Sequence, residues 1–149
     1  LKKSRFKLAD NIDECCNHLN LNAEYHLTVQ GDVSVEVVAD RNKIDQVLVN
    51  FVNNAVKYAP ESKEITILLE QLPQKVKVSV IDKGQGIPEQ NIPHLFNRYY
   101  QVKNEQTKVK GLGLGLYISA EIIKKHQGEI GVDSVLGKGS TFWFTLPTS

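Results

Sequence analysis

The chain has 149 residues, 41% apolar and 23% charged, which suits one globular domain burying about 70% of its unfolded-chain surface. Eighteen Lys and Arg against 17 Asp and Glu leave a formal net charge of +1, so no global field gathers nucleic acid or an anionic membrane, and any anion must be held by a local site. The apolar runs fall far short of the ~20 residues that cross a bilayer, and Leu1-Lys2-Lys3-Ser4-Arg5 has no apolar stretch behind it to make a secretory signal, so a soluble, cytoplasmic fragment lacking its preceding context is expected.

From Phe6 to Asn22, Leu8, Ile12, Cys15, Cys16 and Leu19 recur at spacings of three and four and predict a first helix. The adjacent Cys15 and Cys16 fall on that stripe and read as small buried hydrophobes rather than a disulfide or a metal site. Tyr25 to Val29 and Val35 to Val38, separated by Gly31-Asp32, suit two short strands joined by a turn. Asp40 then precedes the most regular stretch, Arg41 to Tyr58, where Ile44, Val47, Leu48, Phe51, Val52 and Ala55 repeat at helical spacing before Ala59-Pro60 ends the run. Strands over Glu64 to Glu70 and Lys75 to Ile81 follow, returning through Leu72-Pro73. Lys83 to Lys110 is a long connection rich in Gly, Pro, Asn, Gln and Lys, with one short helix near Asn91 to Phe96; loops of that length in a compact domain are usually functional or disordered. A third helix over Leu114 to His126 closes at Gln127-Gly128, where Gly suits a helix end. Strands near Ile130 to Asp133 and Thr141 to Leu146 flank Leu136-Gly137-Lys138-Gly139. The order predicts an α/β two-layer sandwich in one domain, 1–149: a mixed sheet covered on one face by three helices.

Asn50, Asn54, Lys57 and Tyr58 lie along or beside one face of the second helix. A solvated face would explain any one of them. Asn is a poor interior helix former, however, and repeating it at i and i+4 within apolar turns suggests a use for its carboxamide. A carboxamide oxygen ligates a hard cation such as magnesium without adding charge, and a Lys ammonium meets phosphate as a point charge. A metal–phosphate site and a solvated face both remain open at this point.

Val76, Val78 and Val80 share a strand face, and period-two alternation places Asp82 on that same apolar side. A carboxylate buried there needs a donor, and Gly84-Gln85-Gly86 leaves room for a ligand to provide it; a simple turn cap is the alternative. Ser140 has the parity of Phe142, Phe144 and Leu146, so if the two strands are neighbours, Asp82 and Ser140 read an amino-bearing ring together. Gly111-Leu112-Gly113-Leu114-Gly115-Leu116 opens the third helix, where glycines let backbone N–H groups approach an anion. Its spacing is neither the dinucleotide fingerprint nor the P-loop. The preceding Arg98, Lys103, Lys108 and Lys110, against Glu105 alone, suit a basic lid over a polyphosphate or an exposed lysine-bearing loop.

Together these segments resemble the ATP-binding catalytic domain of sensor histidine kinases, in the gyrase and histidine-kinase ATPase superfamily. The resemblance rests on five boxes in family order: the Asn-rich Asp40 to Pro60, Asp82-Lys83-Gly84-Gln85-Gly86-Ile87, Leu95-Phe96-Asn97-Arg98-Tyr99-Tyr100, Gly111 to Leu116, and Gly137-Lys138-Gly139-Ser140-Thr141-Phe142. It implies the ligands ATP and Mg2+, with Asp82 and Ser140 on the adenine amino group and Asn54, assisted by Asn50, on the metal. Lys57 would meet phosphate, Tyr58 would line base and sugar, and Gly84, Gly86 and Ile87 would lie against the adenine. Phe96 would anchor the ATP lid, and Gly111, Gly113, Leu114, Gly115 and Leu116 would form its hinge and the phosphate cradle.

Superfamily ATPases and serine kinases carry a glutamate where this chain has Asn50, and a carboxamide cannot take a proton. Asn50 thus favours transfer to an imidazole, which is already nucleophilic when neutral. The chain departs from the family at Gln101, where an Arg is common after the aromatic pair, and at Leu112, where a small hydroxyl residue is common. The cation on the γ-phosphate is therefore open among Arg98, Lys103, Lys108 and Lys110. None of His18, His26, His94 and His126 has the family's phosphoacceptor context, and His18 and His126 read as structural. The resemblance implies a monomeric fragment unable to autophosphorylate, partnered by a helical phosphoacceptor domain of the same chain or a dimer mate and by a downstream response regulator, with no nucleic-acid or direct membrane contact. A regulatory nucleotide-binding module, or a superfamily ATPase with weak or no kinase activity, is the alternative.

Overall fold

The computed structural model describes residues 1–19, 26–58, 64–98 and 114–148, without the side chains of 15–19, 57 and 58. It opens with a strand that the sequence pattern does not reveal, β1 (Lys3–Lys7), in which only Phe6 is buried. One apolar residue gives no alternation to read. The strand exists through pairing, antiparallel to β3 (Glu36–Asp40) with Lys3 opposite Asp40 and Lys7 opposite Glu36. Phe6 belongs to β1, so α1 (Leu8–Leu19) starts at the first residue of its stripe rather than at Phe6.

The two early strands and the turn between them form as expected, but the strands do not pair with each other. β2 (His26–Gly31) runs parallel to β4 (Glu64–Leu72), whereas β3 leaves for the separate two-stranded sheet with β1. Asp32 diverts the chain after β2: its N–H donates to Leu69 O at 2.8 Å, and its Oδ2 accepts from Gln71 N at 2.9 Å. Parallel neighbours need a long crossover, which β3 and α2 (Arg41–Tyr58) supply. With β5 (Lys75–Asp82), β6 (Ile130–Val135) and β7 (Gly139–Pro147), the main sheet has the order β2-β4-β5-β7-β6.

Val76, Val78 and Val80 of β5 and Phe142, Phe144 and Leu146 of β7 are fully buried on one face. The α2 stripe packs there, with Phe51 set between Phe142 and Phe144 at ring-centroid distances of 5.7 Å to each. Each such fully buried side chain contributes about 1.5–3 kcal/mol of transfer free energy. α3 (Gly115–Lys125) adds Leu116, Ile122 and Ile123, while α1 packs on α2. The fold is thus the expected two-layer α/β sandwich. Two local expectations shift. The short helix is a 3-10 turn at Glu89–His94, and the residue with positive φ after α3 is Gln127, at 61°, rather than Gly128. No helix among the described residues is long and apolar enough to cross a membrane.

Candidate functional site

β5 and β7 are neighbours, and their register sets Asp82 directly opposite Ser140. The valine alternation that puts three apolar side chains into the core carries the carboxylate in with them, leaving Asp82 3% exposed. Its Oδ1 accepts from Gly84 N at 3.0 Å and Ser140 N at 3.2 Å. Its Oδ2 is buried with no hydrogen-bond partner among the described residues. Burial raises this carboxyl above the ordinary aspartate value, and the Gly84 and Ser140 N–H groups pull it partway back. A half-satisfied buried carboxylate costs free energy that an external donor recovers.

The loop after β5 is held against the β6–β7 turn. Gly137 N donates to Gln85 O at 2.7 Å, and Ile87 N donates to Ser134 Oγ at 2.8 Å. Gly86 has φ +76°, and a Cβ there would lie 2.4 Å from Val135 O, so the close approach of the two loops itself requires glycine. Gly139 is constrained in the same way: at φ +116°, a Cβ would meet Asp82 O at 2.2 Å. The Ser140 hydroxyl lies 2.8 Å from Ser134 Oγ, which in turn donates to Gly139 O at 3.0 Å. Ser134 escapes the sequence reading because the strand there is expected to stop at Asp133; extended through Val135, β6 gives Ser134 the inward parity of Val132.

On α2, the Asn50 Nδ2 donates to Gly115 O at 3.2 Å and to Ser119 Oγ at 3.1 Å. A backbone carbonyl can only accept, so the amide nitrogen faces α3 and Oδ1 is the atom left for other use. Asn50 therefore bolts α2 to the first turn of α3, whose N-cap residue Leu114 makes no side-chain capping bond. Asn54, one turn on, is half-buried. Two carboxamide oxygens suit a hard cation that also has phosphate oxygens to bind, and among the described residues no cluster of three His, Cys, Asp or Glu could hold a metal by itself.

The structure therefore forms two clusters, Asp82 with Gly84, Gly86, Ile87 and Ser140, and Asn50 with Gly115. α2 packs on both β5 and α3 and so links them. Ile87 and Leu116 are buried in the hydrophobic core and support the site from beneath. Phe96 packs half-buried against that core beside fully buried Leu95, and the Arg98 guanidinium lies 5.9 Å from the Tyr117 ring centroid on α3. Gly111, Gly113, Leu112, Tyr99, Tyr100, Gln101, Lys103, Lys108 and Lys110 lie outside the described residues, as do the side chains of Lys57, Tyr58, Cys15, Cys16 and His18. A groove of about 1020 Å³ between the 3-10 turn and β6 is lined by Ile87 and Ser134 but by neither Asp82 nor Ser140. We place the site by the orphaned oxygen, which marks chemistry as volume alone does not.

His126 is 1% exposed and ends α3 as a structural group. Its Nε2 accepts from Asp40 N at 3.0 Å and Nδ1 donates to Ile122 O at 2.8 Å, an arrangement only the neutral ring can make.

The sequence profile of the histidine kinase-, DNA gyrase B-, and HSP90-like ATPase family matches residues 39–149. The adaptive-response sensory kinase SasA of Crocosphaera subtropica is 48% identical over 112 residues, covering 74% of this chain and 29% of the relative. The sensor histidine kinase WalK of Bacillus subtilis is 42% identical over 119 residues, covering 78% of this chain and 19% of the relative. The nucleotide-free catalytic domain of the histidine kinase ThkA superposes with a TM-score of 0.83 at 29% identity, covering 99% of this chain and 97% of that one. ThkA in complex with the response regulator protein TrrA gives 0.80 at 27% identity, covering 99% of this chain and 42% of that one. The chain spans less than a third of the length of these two curated relatives.

Proposed function

This chain belongs to the histidine kinase-, DNA gyrase B-, and HSP90-like ATPase family, and we propose that it is the ATP-binding catalytic domain of a sensor histidine kinase. It binds Mg-ATP and donates the γ-phosphoryl group to a histidine on a helical domain of the same full-length chain or a dimer mate. A response regulator acts downstream, and the domain works on the cytoplasmic side.

The observation that carries this reading is the buried, partnerless Oδ2 of Asp82 beside Ser140. An exocyclic amino group supplies the missing donor, and adenine brings one. Asn54 and the Asn50 Oδ1 would hold the magnesium, which would supply neutralisation of phosphate charge. Lys57 meets phosphate as a point charge, Tyr58 lines base and sugar, and the glycines from Gly111 to Gly115 let backbone N–H groups approach the polyphosphate at the positive end of α3. Arg98, whose guanidinium lies over the Tyr117 ring, is one of the candidate cations for the γ-phosphate.

In the transfer, a neutral imidazole nitrogen attacks the γ-phosphorus, the bond to the β–γ bridging oxygen breaks, and ADP leaves with that electron pair. The imidazole N–H proton passes to solvent. Asn50 supplies no general base, so this chain's residues act by positioning and charge neutralisation. The test mixes this chain with the phosphoacceptor hairpin of its full-length protein, γ-labelled ATP and Mg2+. Phosphohistidine on the hairpin and little phosphate release by the chain alone are expected. Rapid release by the isolated chain would instead mark an ATPase, and nucleotide binding without transfer would mark a regulatory module.

A further inference from the structure

We infer that Ser134 is a positioning residue for base recognition: it fixes Ser140 as a hydrogen-bond acceptor beside Asp82 and so sets which base edge the site takes. The inference rests on the ATP reading above and concerns a residue outside the five sequence boxes.

A serine hydroxyl has one proton and two lone pairs. Ser134 Oγ donates its proton to Gly139 O at 3.0 Å, and that carbonyl can only accept. One lone pair takes the Ile87 N–H at 2.8 Å, and that amide can only donate. What remains toward Ser140 Oγ, 2.8 Å away, is the second lone pair, so Ser140 donates its own proton to Ser134.

Ser140 Oγ is then left with lone pairs only. It lies on the same sheet face as Asp82, opposite it in register, and is 5% exposed. The base-reading end therefore offers two acceptors, Asp82 Oδ2 and Ser140 Oγ, and no hydroxyl donor. That polarity suits the two hydrogens of a 6-amino group. Remove the Ser134 hydroxyl and the Ser140 proton is free to turn toward the ligand, which weakens the preference. A Ser134 that served only to satisfy Ile87 N–H and Gly139 O would support the loop equally for any purine.

The experiment measures affinities of this 149-residue chain, with Mg2+, for ATP and for purine riboside triphosphate, which lacks only the 6-amino group. Ser134→Ala is expected to lower the ratio of the two affinities about fivefold, the size of one net hydrogen bond. Ser134→Thr, which keeps a hydroxyl, is expected to retain the ratio. In a Ser140→Ala background, Ser134→Ala is expected to leave it unchanged, because the effect passes through Ser140. Equal weakening of both nucleotides by Ser134→Ala, or a ratio change that survives in Ser140→Ala, would overturn the inference. If Ser134→Ala loses its cooperative thermal transition, Ser140→Ala alone must lower the ratio, and an unchanged ratio there is equally fatal. A wild-type chain that binds both nucleotides alike, or neither, sinks the underlying ATP reading itself.

Discussion

At the end of β3, the Asp40 carboxylate accepts from Lys2 N at 3.1 Å and, at the start of α2, from Lys43 N at 3.4 Å, while its own N–H is taken by His126. At the end of β5, the Asp82 carboxylate uses one oxygen on Gly84 and Ser140 and leaves the other buried and partnerless. Both aspartates close a strand, and both follow an apolar run. The Lys2 N–H beside Asp40 holds its carboxyl below the ordinary value, whereas burial lifts Asp82 above it. The half-buried, satisfied junction serves the fold; the buried, half-satisfied one is available to a ligand.

The two also enter stability with opposite signs. Asp82, with its folded value raised, contributes stability that is fully present below the ordinary aspartate value and is lost as pH rises through the raised one. Asp40, with its folded value lowered, contributes stability above the ordinary value and loses it as pH falls through the lowered one.

The strongest test of this contrast is Asp82→Asn, which can keep the Gly84 and Ser140 bonds through its oxygen but presents a donor where the ligand amino group needs an acceptor. ATP affinity by calorimetry should fall about 100-fold or more, with the thermal midpoint unchanged or raised. Unchanged affinity would remove Asp82 from the base pocket. At the other junction, His126→Ala removes a buried ring and strands the Asp40 N–H. It should cost about 2–3 kcal/mol in denaturant unfolding while the folded protein keeps its ATP affinity. A smaller effect is expected from pH: ATP affinity should weaken on acidification through the raised Asp82 value, by at most about tenfold per pH unit, and Asp82→Asn should flatten that slope. The smallest belongs to Asp40→Asn, a slight loss of thermal midpoint at neutral pH that disappears on acidification. A loss that persists in acid would mean that Asp40 acts through more than its charge.

Much of this was legible in the sequence where periodicity and chemistry coincide. The α2 stripe from Ile44 to Ala55 is buried as its spacing requires, and parity alone put Asp82 and Ser140 on the helix-covered face. Legibility failed where structure comes from a distant partner. β1 has one buried residue and is a strand because β3 lies beside it. β2 took β4 rather than β3 because Asp32 is tied to Leu69 and Gln71, contacts that no local turn signal reports. Ser134 was missed by a strand boundary placed two residues short. Gly86 reads in the sequence as room for a ligand, but the backbone of Val135 packed against it is what requires glycine there.

The order of residues by itself determined the layers and which polar side chains turn inward, because burial follows periods of two and 3.6 that a single chain displays. Only the tertiary structure decided which partners those positions meet. It paired β5 with β7 in the register that sets Asp82 against Ser140, turned the Asn50 amide toward α3, and left one carboxylate oxygen without a partner. Hydrogen bonds are directional and saturable. Which acceptor remains unspent therefore depends on residues far apart in sequence that meet only when the sheet has formed.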